Sequence, residues 1–218
     1  MIDAKSELIG ILINAFILFT CFPVHEFAHA AVAKLLGDDT AEREGRLTLN
    51  PIVHLDIWGT IAMLVMGFGW TNPAPVNSSN FKNRKVGNLL TALAGPAANL
   101  ILSYIFMILY RIMKYMSGVS DNTGYSYLGM IFVTAVTANI GLALFNLLPI
   151  PPLDGARLIS ARTYYKFSQK ENVIAVVLIL LWISGILTIP VMIFESAAIS
   201  LMTVLSDWVE PVMASLIH

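Results

Sequence analysis

Phe22-Pro23-Val24-His25-Glu26-Phe27-Ala28-His29-Ala30 is the stretch whose reading decides the fold. It sets His-Glu-x-x-His inside a run of almost wholly apolar residues. Residues four apart share one face of a helix, so His25 and His29 can present two imidazoles to one ion. Glu26 stands one step round from His25 and can take a proton from a water at that ion. The physical reading is metal-assisted hydrolysis with Glu26 as general base. A chance match would sit on a solvated helix with its histidines dispersed. Here three ionisable groups stand within an apolar helix, where each is costly unless it has a function.

The surrounding chain says what solvent that helix meets. Of 218 residues, 57% are hydrophobic and 12% charged, and the mean hydropathy is +0.74. Soluble domains carry about 25% charged residues, so half that share points to lipid. A net charge of −1 gives no electrostatic case for nucleic acid. Four histidines are too few for a multi-histidine di-iron centre, and the single cysteine, Cys21, excludes an internal disulfide or a cysteine-based zinc cluster. Cys21 is one turn before His25, but a small buried residue is its simpler reading. The start of the chain lacks the net positive charge of a signal peptide, since Lys5 lies between Asp3 and Glu7. Residues 8–36 therefore read as a retained first span.

That span is about 29 residues, or roughly 43 Å at helical rise, longer than a hydrocarbon core of about 30 Å. His25 falls about 26 Å along it, near the far face but still at membrane depth. Pro23 should kink it. Further spans are expected at about 88–110, 128–148 and 173–194, the last kinked by Pro190. The tail, 196–217, fits either an interfacial helix or a fifth span. Residues 57–69 are apolar but too short to cross, and their glycines suggest a re-entrant element. Arg46–Asn50 reads as a short β piece, able to pair with an extended substrate or to serve only as a connector. The fold class is an all-α polytopic membrane protein, and residues 1–218 read as one integral-membrane domain.

Charge bias sets the orientation. With the first span running outward to inward, ten basic residues fall on the cytoplasmic side, from Lys34 to Lys170, and only Lys5, Arg111 and Lys114 fall outside. The ends of the first and third spans then lie on one side, where His25, Glu26, His29 and Asp154 can converge. A catalytic zinc takes three protein ligands and keeps a position open. Asp154, beside the helix break made by Pro149, Pro151 and Pro152, is the best-placed third ligand, although Asp-Gly alone reads as an ordinary turn. His54, next to Asp56, fits a supporting role better than ligation. Asn99 and Asn139 fit hydrogen bonds between helices.

The sequence resembles the site-2 protease family of intramembrane zinc metalloproteases, in a minimal form without PDZ-like or CBS-like insertions. The resemblance rests on His25-Glu26-Phe27-Ala28-His29, Gly95-Pro96-Ala97-Ala98-Asn99 and Asn146-Leu147-Leu148-Pro149-Ile150-Pro151-Pro152-Leu153-Asp154-Gly155. Leu49-Asn50-Pro51 through His54 and Asp56, and Pro73-Ala74-Pro75-Val76-Asn77, are also similar to it, so that it covers roughly residues 8–160. It implies a hydrolase that cuts a peptide bond within the membrane, with one zinc ion held by His25, His29 and Asp154. It also implies that Asn146 helps position the substrate carbonyl or its oxyanion. The implied partners are the lipid bilayer and a transmembrane protein or peptide substrate, with the cell membrane as location and the active site near its cytoplasmic side. A different class fits the same residues: a membrane protein that binds a metal or a partner span without cutting it. Intact Glu26 weighs against that reading, since ligation alone does not need it.

Overall fold

The computed structural model describes residues 4–120, 122–159, 161–186 and 188–217. Its first helix, α1 (Ala4–Leu35), runs unbroken through Pro23. A short helix α2 (Thr40–Arg43) and a 3₁₀ turn at Pro51–Val53 lead to α3 (Ile57–Met66). Two long helices follow, α4 (Arg84–Val119) and α5 (Thr123–Asn146), capped by the side chains of Asn83 and Asn122. After a 3₁₀ turn at Asp154–Leu158 come α6 (Ala161–Ser168), α7 (Glu171–Ile183), α8 (Thr188–Leu205) and α9 (Val209–Ile217).

The architecture is all-α and polytopic, with four candidate spans at Glu7–Leu35, Arg84–Val119, Thr123–Asn146 and Val191–Ile217. α4 packs most extensively on α5 and then on α1. Ile17, Leu18 and Cys21 of α1 meet Phe106 and Met107 of α4, Val136 and Ile140 of α5, and Met202 of α8. Cys21 is fully buried in this core. Large apolar side chains such as Leu12, Ile101, Leu180 and Phe194 are exposed on the outer faces, which is stable only against lipid. Ser103 bonds across the α4–α5 seam to the Val136 carbonyl at 3.1 Å, and Asn139 donates to Cys21 Sγ at 3.0 Å, joining α5 to α1. Asn99 departs from expectation. It is fully buried, and neither of its amide atoms is hydrogen-bonded among the described residues.

Three further expectations are corrected. The fourth span is not 173–194. The chain breaks after Ile183, where Gly185 takes the left-handed φ of 78°, and Pro190 falls in the first turn of α8, where its missing N–H costs no helical bond. α7 alone is 13 residues, about 20 Å, and too short to cross. The 196–217 tail instead supplies most of the fourth candidate span. Second, the helix of the second span does not end near residue 110, because α4 continues to Val119. Arg111 is satisfied within the fold, donating to the Ser206 carbonyl at 3.1 Å and pairing with Asp207. Third, no strand forms among the described residues, so residues 46–50 are not a β piece. Local side-chain bonds take their place: Thr48 Oγ1 accepts from Asn50 N, and Asn50 Oδ1 accepts from Ile52 N.

The re-entrant element does double back. α3 leaves the 3₁₀ turn at 51–53, and the chain returns alongside it so that Leu55 bridges Thr71 antiparallel and Asn72 N donates to the His54 carbonyl at 2.8 Å. The backbones touch at two glycines: a Cβ on Gly59 would lie 2.1 Å from the Trp70 carbonyl oxygen, and one on Gly69 2.3 Å from that of Gly59. This fold-back delivers residues 71–77 to α1.

Candidate metal centre

His25 and His29 stand one turn apart on α1 with their rings edge to face, 4.6 Å between centroids. The Pro-rich break after α5 turns the chain so that Asp154, first residue of its 3₁₀ turn, reaches them. Asp154 Oδ2 lies 3.1 Å from His25 Nε2 and 3.0 Å from His29 Nε2, and the two Nε2 atoms are 3.0 Å apart. Three ligand-type atoms thus form a near-equilateral triangle. In a tetrahedral zinc site with metal–ligand distances of about 2.0–2.1 Å, the ligand–ligand edge is roughly 3.3 Å, so the triangle is tighter by only about 0.3 Å. Its chemistry also matches: one carboxylate and two imidazoles, both histidines buried, form the standard donor set for zinc. His29 Nδ1 lies 2.7 Å from the Thr91 carbonyl and must donate to it. The neutral ring therefore keeps its Nε2 lone pair for the shared point. The residues fit the ion.

The floor of the triangle is backbone. A Cβ on Gly95 of α4 would stand 2.4 Å from His29 Nε2 and 2.7 Å from His25 Nε2, so only glycine lets α4 pass this close. Glu26 is turned to the other wall. Its Oε1 accepts from Thr71 Oγ1 and its Oε2 from Ala74 N, both at 2.8 Å, so the returning segment of the fold-back fixes the carboxylate at two points.

The same segment is held a second time further on. Asp38, fully buried just past α1, accepts from Asn77 N at 2.6 Å, from Asn80 Nδ2 at 2.7 Å and from Thr40 Oγ1 at 2.5 Å. Burial alone would raise its pKa, but these hydrogen bonds outweigh it and hold the carboxyl below the usual range.

Asn146 closes α5 and lines the same cavity of about 760 Å³ as His25, Glu26, His29 and Asp154. One of its amide hydrogens is given to the Leu142 carbonyl at 2.9 Å. His54 lies outside the cluster. It is fully buried, with Nε2 2.9 Å from the Thr48 carbonyl, and it fastens the 48–54 turn. Thr71, Ala74, Gly95, Thr91 and Asp38 are parts of the site that spacing along the chain does not single out. The only prior signals were the Pro73–Asn77 and Gly95–Asn99 motifs.

The spans and this cluster define an integral membrane protein with a buried His-His-Asp centre and an adjacent carboxylate. The model of "Peptidase family M50" matches residues 112–185, which take in Asn146 and Asp154 but not the α1 motif. Three relatives share the name "Putative zinc metalloprotease". YwhC of Bacillus subtilis is 49% identical over 144 residues, 65% of either chain. Rip2 of Mycolicibacterium smegmatis is 33% identical over 137 residues, 61% of this chain and 50% of that one. MJ0611 of Methanocaldococcus jannaschii is 34% identical over 138 residues, 63% and 64% of the two chains. The chain thus spans less than two thirds of the length of each of these relatives. No solved structure matches it. Over the matched stretches the chain is similar to peptidase family M50 and to these putative zinc metalloproteases, which supports the resemblance to the site-2 protease family.

Proposed function

We propose that this protein is an intramembrane metalloprotease that hydrolyses a peptide bond in or near a transmembrane segment of a membrane-protein substrate. The observation that carries the reading is the convergence of His25, His29 and Asp154 on one point, with a doubly anchored Glu26 lining the same cavity. His25, His29 and Asp154 would hold one zinc ion. When bound, zinc supplies a Lewis acid that polarises the substrate carbonyl and makes water acidic enough to act near neutral pH.

The remaining steps fall to the chain's own groups. Thr71 and Ala74 fix the plane of the Glu26 carboxylate, which takes the proton from the attacking water and passes it to the leaving nitrogen. Each carboxylate oxygen keeps lone-pair capacity beside the bond it already accepts. The second amide hydrogen of Asn146, not spent on Leu142, donates to the substrate carbonyl as negative charge develops there. A helical substrate shields its peptide bonds, so it must unwind locally to enter the cavity. The basic bias of the inner loops supports an active site near the cytoplasmic side of the cell membrane.

The test is cleavage of a membrane-spanning reporter by the purified protein in detergent or liposomes, wild type against Glu26→Gln. Loss of cleavage in the variant is the expected result. Cleavage by Glu26→Gln at the wild-type rate would overturn the mechanism.

A further inference from the structure

The cavity contains a carboxyl that the proposed reaction does not use. Glu195 lies on α8 within the candidate span Val191–Ile217, half-buried, and it lines the cavity that holds His25, Glu26, His29 and Asp154. Among the described residues, no hydrogen bond or ion pair engages it. The rest of the lining from α7 and α8 is apolar: Ala175, Leu178, Ile179 and Val191. Other uncharged side-chain donors in the lining bond elsewhere, Thr71 to Glu26 and four more to backbone carbonyls. Asn14 Nδ2 reaches Leu64 O at 3.5 Å, Thr134 Oγ1 bonds Met130 O, Thr137 Oγ1 bonds Thr134 O, and Asn146 Nδ2 bonds Leu142 O. Arg157 is exposed elsewhere in the lining and forms no ion pair with Glu195.

The cavity is also elongated. Asn14 precedes His25 by eleven residues on α1 and Thr134 precedes Asn146 by twelve on α5. At helical rise, its lining therefore extends roughly 16–18 Å from the metal centre along both helices. That length takes several residues of a substrate span beyond the bond to be cut.

A carboxyl inside an apolar span is costly unless a partner satisfies it, and none of the described residues does so. Its partner must come with the occupant of the cavity. A Lys or Arg within an otherwise apolar span has the complementary problem, and a charge-assisted bond between the two relieves both. We propose that Glu195 is a specificity-determining residue, and that the preferred substrates are membrane spans carrying a basic side chain within their apolar run. This deepens the proposed protease reading and rests on the same cavity.

The test measures binding rather than turnover, so that it reads even if peptide hydrolysis does not occur. Synthetic apolar span peptides carry one Lys, Glu, Asn or Leu, walked in turn along the sequence. They are titrated into the full-length, zinc-loaded Glu26→Gln protein in nanodiscs, with Glu195 intact, Glu195→Gln or Glu195→Lys. With Glu195 intact, the Lys peptide at its best position binds about tenfold more tightly than the Leu peptide, and the Asn peptide gains much less. In Glu195→Gln the Lys-to-Leu ratio falls to about one. In Glu195→Lys the preference moves to the Glu peptide. A Lys-to-Leu ratio that survives Glu195→Gln would overturn the proposal, as would an Asn peptide that gains as much as the Lys peptide, or no Lys preference at any position. Failure of reporter cleavage alongside a Glu195-dependent Lys preference would count against the protease reading and leave this one standing.

Discussion

Substituting Gly95 by alanine should separate the metal centre from the stability of the fold. The new methyl carbon would meet His29 Nε2 at 2.4 Å, His25 Cε1 at 2.5 Å and His25 Nε2 at 2.7 Å. Ordinary contact begins near 3.4 Å, so both rings must retreat by roughly 0.7–1 Å or α4 must move away. Neither is easy. His29 is fastened to the Thr91 carbonyl of the same helix that carries Gly95, and α4 is packed against both α1 and α5. Zinc–ligand distances tolerate only about 0.2 Å, so a shift of this size in two of three ligands removes them from register. Losing an outer-shell partner alone costs about 10–100-fold in metal affinity, and direct displacement of ligands should cost at least about 100-fold. The helix itself should gain, since alanine is favoured over glycine by about 0.8–1 kcal/mol. The assay is zinc content and competitive chelator titration on detergent-purified protein, with thermal unfolding by circular dichroism in parallel. Expected is a folded protein that has lost zinc and, without metal, is destabilised by no more than about 1–3 kcal/mol from overpacking, partly offset by the helix gain. Wild-type zinc affinity in Gly95→Ala would refute the packing argument.

Other perturbations reach the rest of the site. Thr71→Val removes one of the two donors to Glu26 and should lower kcat by about 10–100-fold, the value of a hydrogen bond to a charged group, with zinc content unchanged. Asp38 has its folded pKa depressed, so its contribution to stability is present above the unfolded carboxylate pKa and is lost as pH falls through the folded value. Acid unfolding of Asp38→Asn should therefore lack that component, and the variant should be less stable than wild type at neutral pH. Because α3 and its return fold back, cysteines placed at Arg43 and at Asn83 should label from the same side of the membrane, and one at Ser120 from the opposite side. Labelling of positions 43 and 83 from opposite sides would mean that residues 57–69 cross.

Much of this site is written in short-range spacing, and the remainder is written in contacts across the fold. His25 and His29 are four apart on one helix, so their shared face follows from helical geometry alone. Asp154 is legible because three prolines force a helix to end at membrane depth. The fold-back at 57–69 follows from length, as an apolar helix of ten residues cannot cross. Gly95 is different: its meaning depends on α4 crossing α1 at the imidazoles, about seventy residues away in sequence. The same holds for Thr71 and Ala74, which reach Glu26 only because α3 doubles back. Residues 173–194 mislead because hydropathy registers composition and not backbone breaks. Gly185 and Pro190 divide an apolar run that reads as continuous. Arg111 misleads in the opposite way, since a charge suggests a loop unless Ser206 and Asp207 are known to lie beside it.

Ligation and proton transfer are assigned to different carboxylates in this account, and metal content measured beside cleavage tests that division most directly. Asp154 completes the triangle with His25 and His29, whereas Glu26 is held by Thr71 and Ala74 at the other wall. Glu26→Gln should therefore retain near-stoichiometric zinc and cleave nothing, while Asp154→Ala should lose both zinc and cleavage. Full zinc occupancy in Asp154→Ala together with zinc loss in Glu26→Gln would contradict the account.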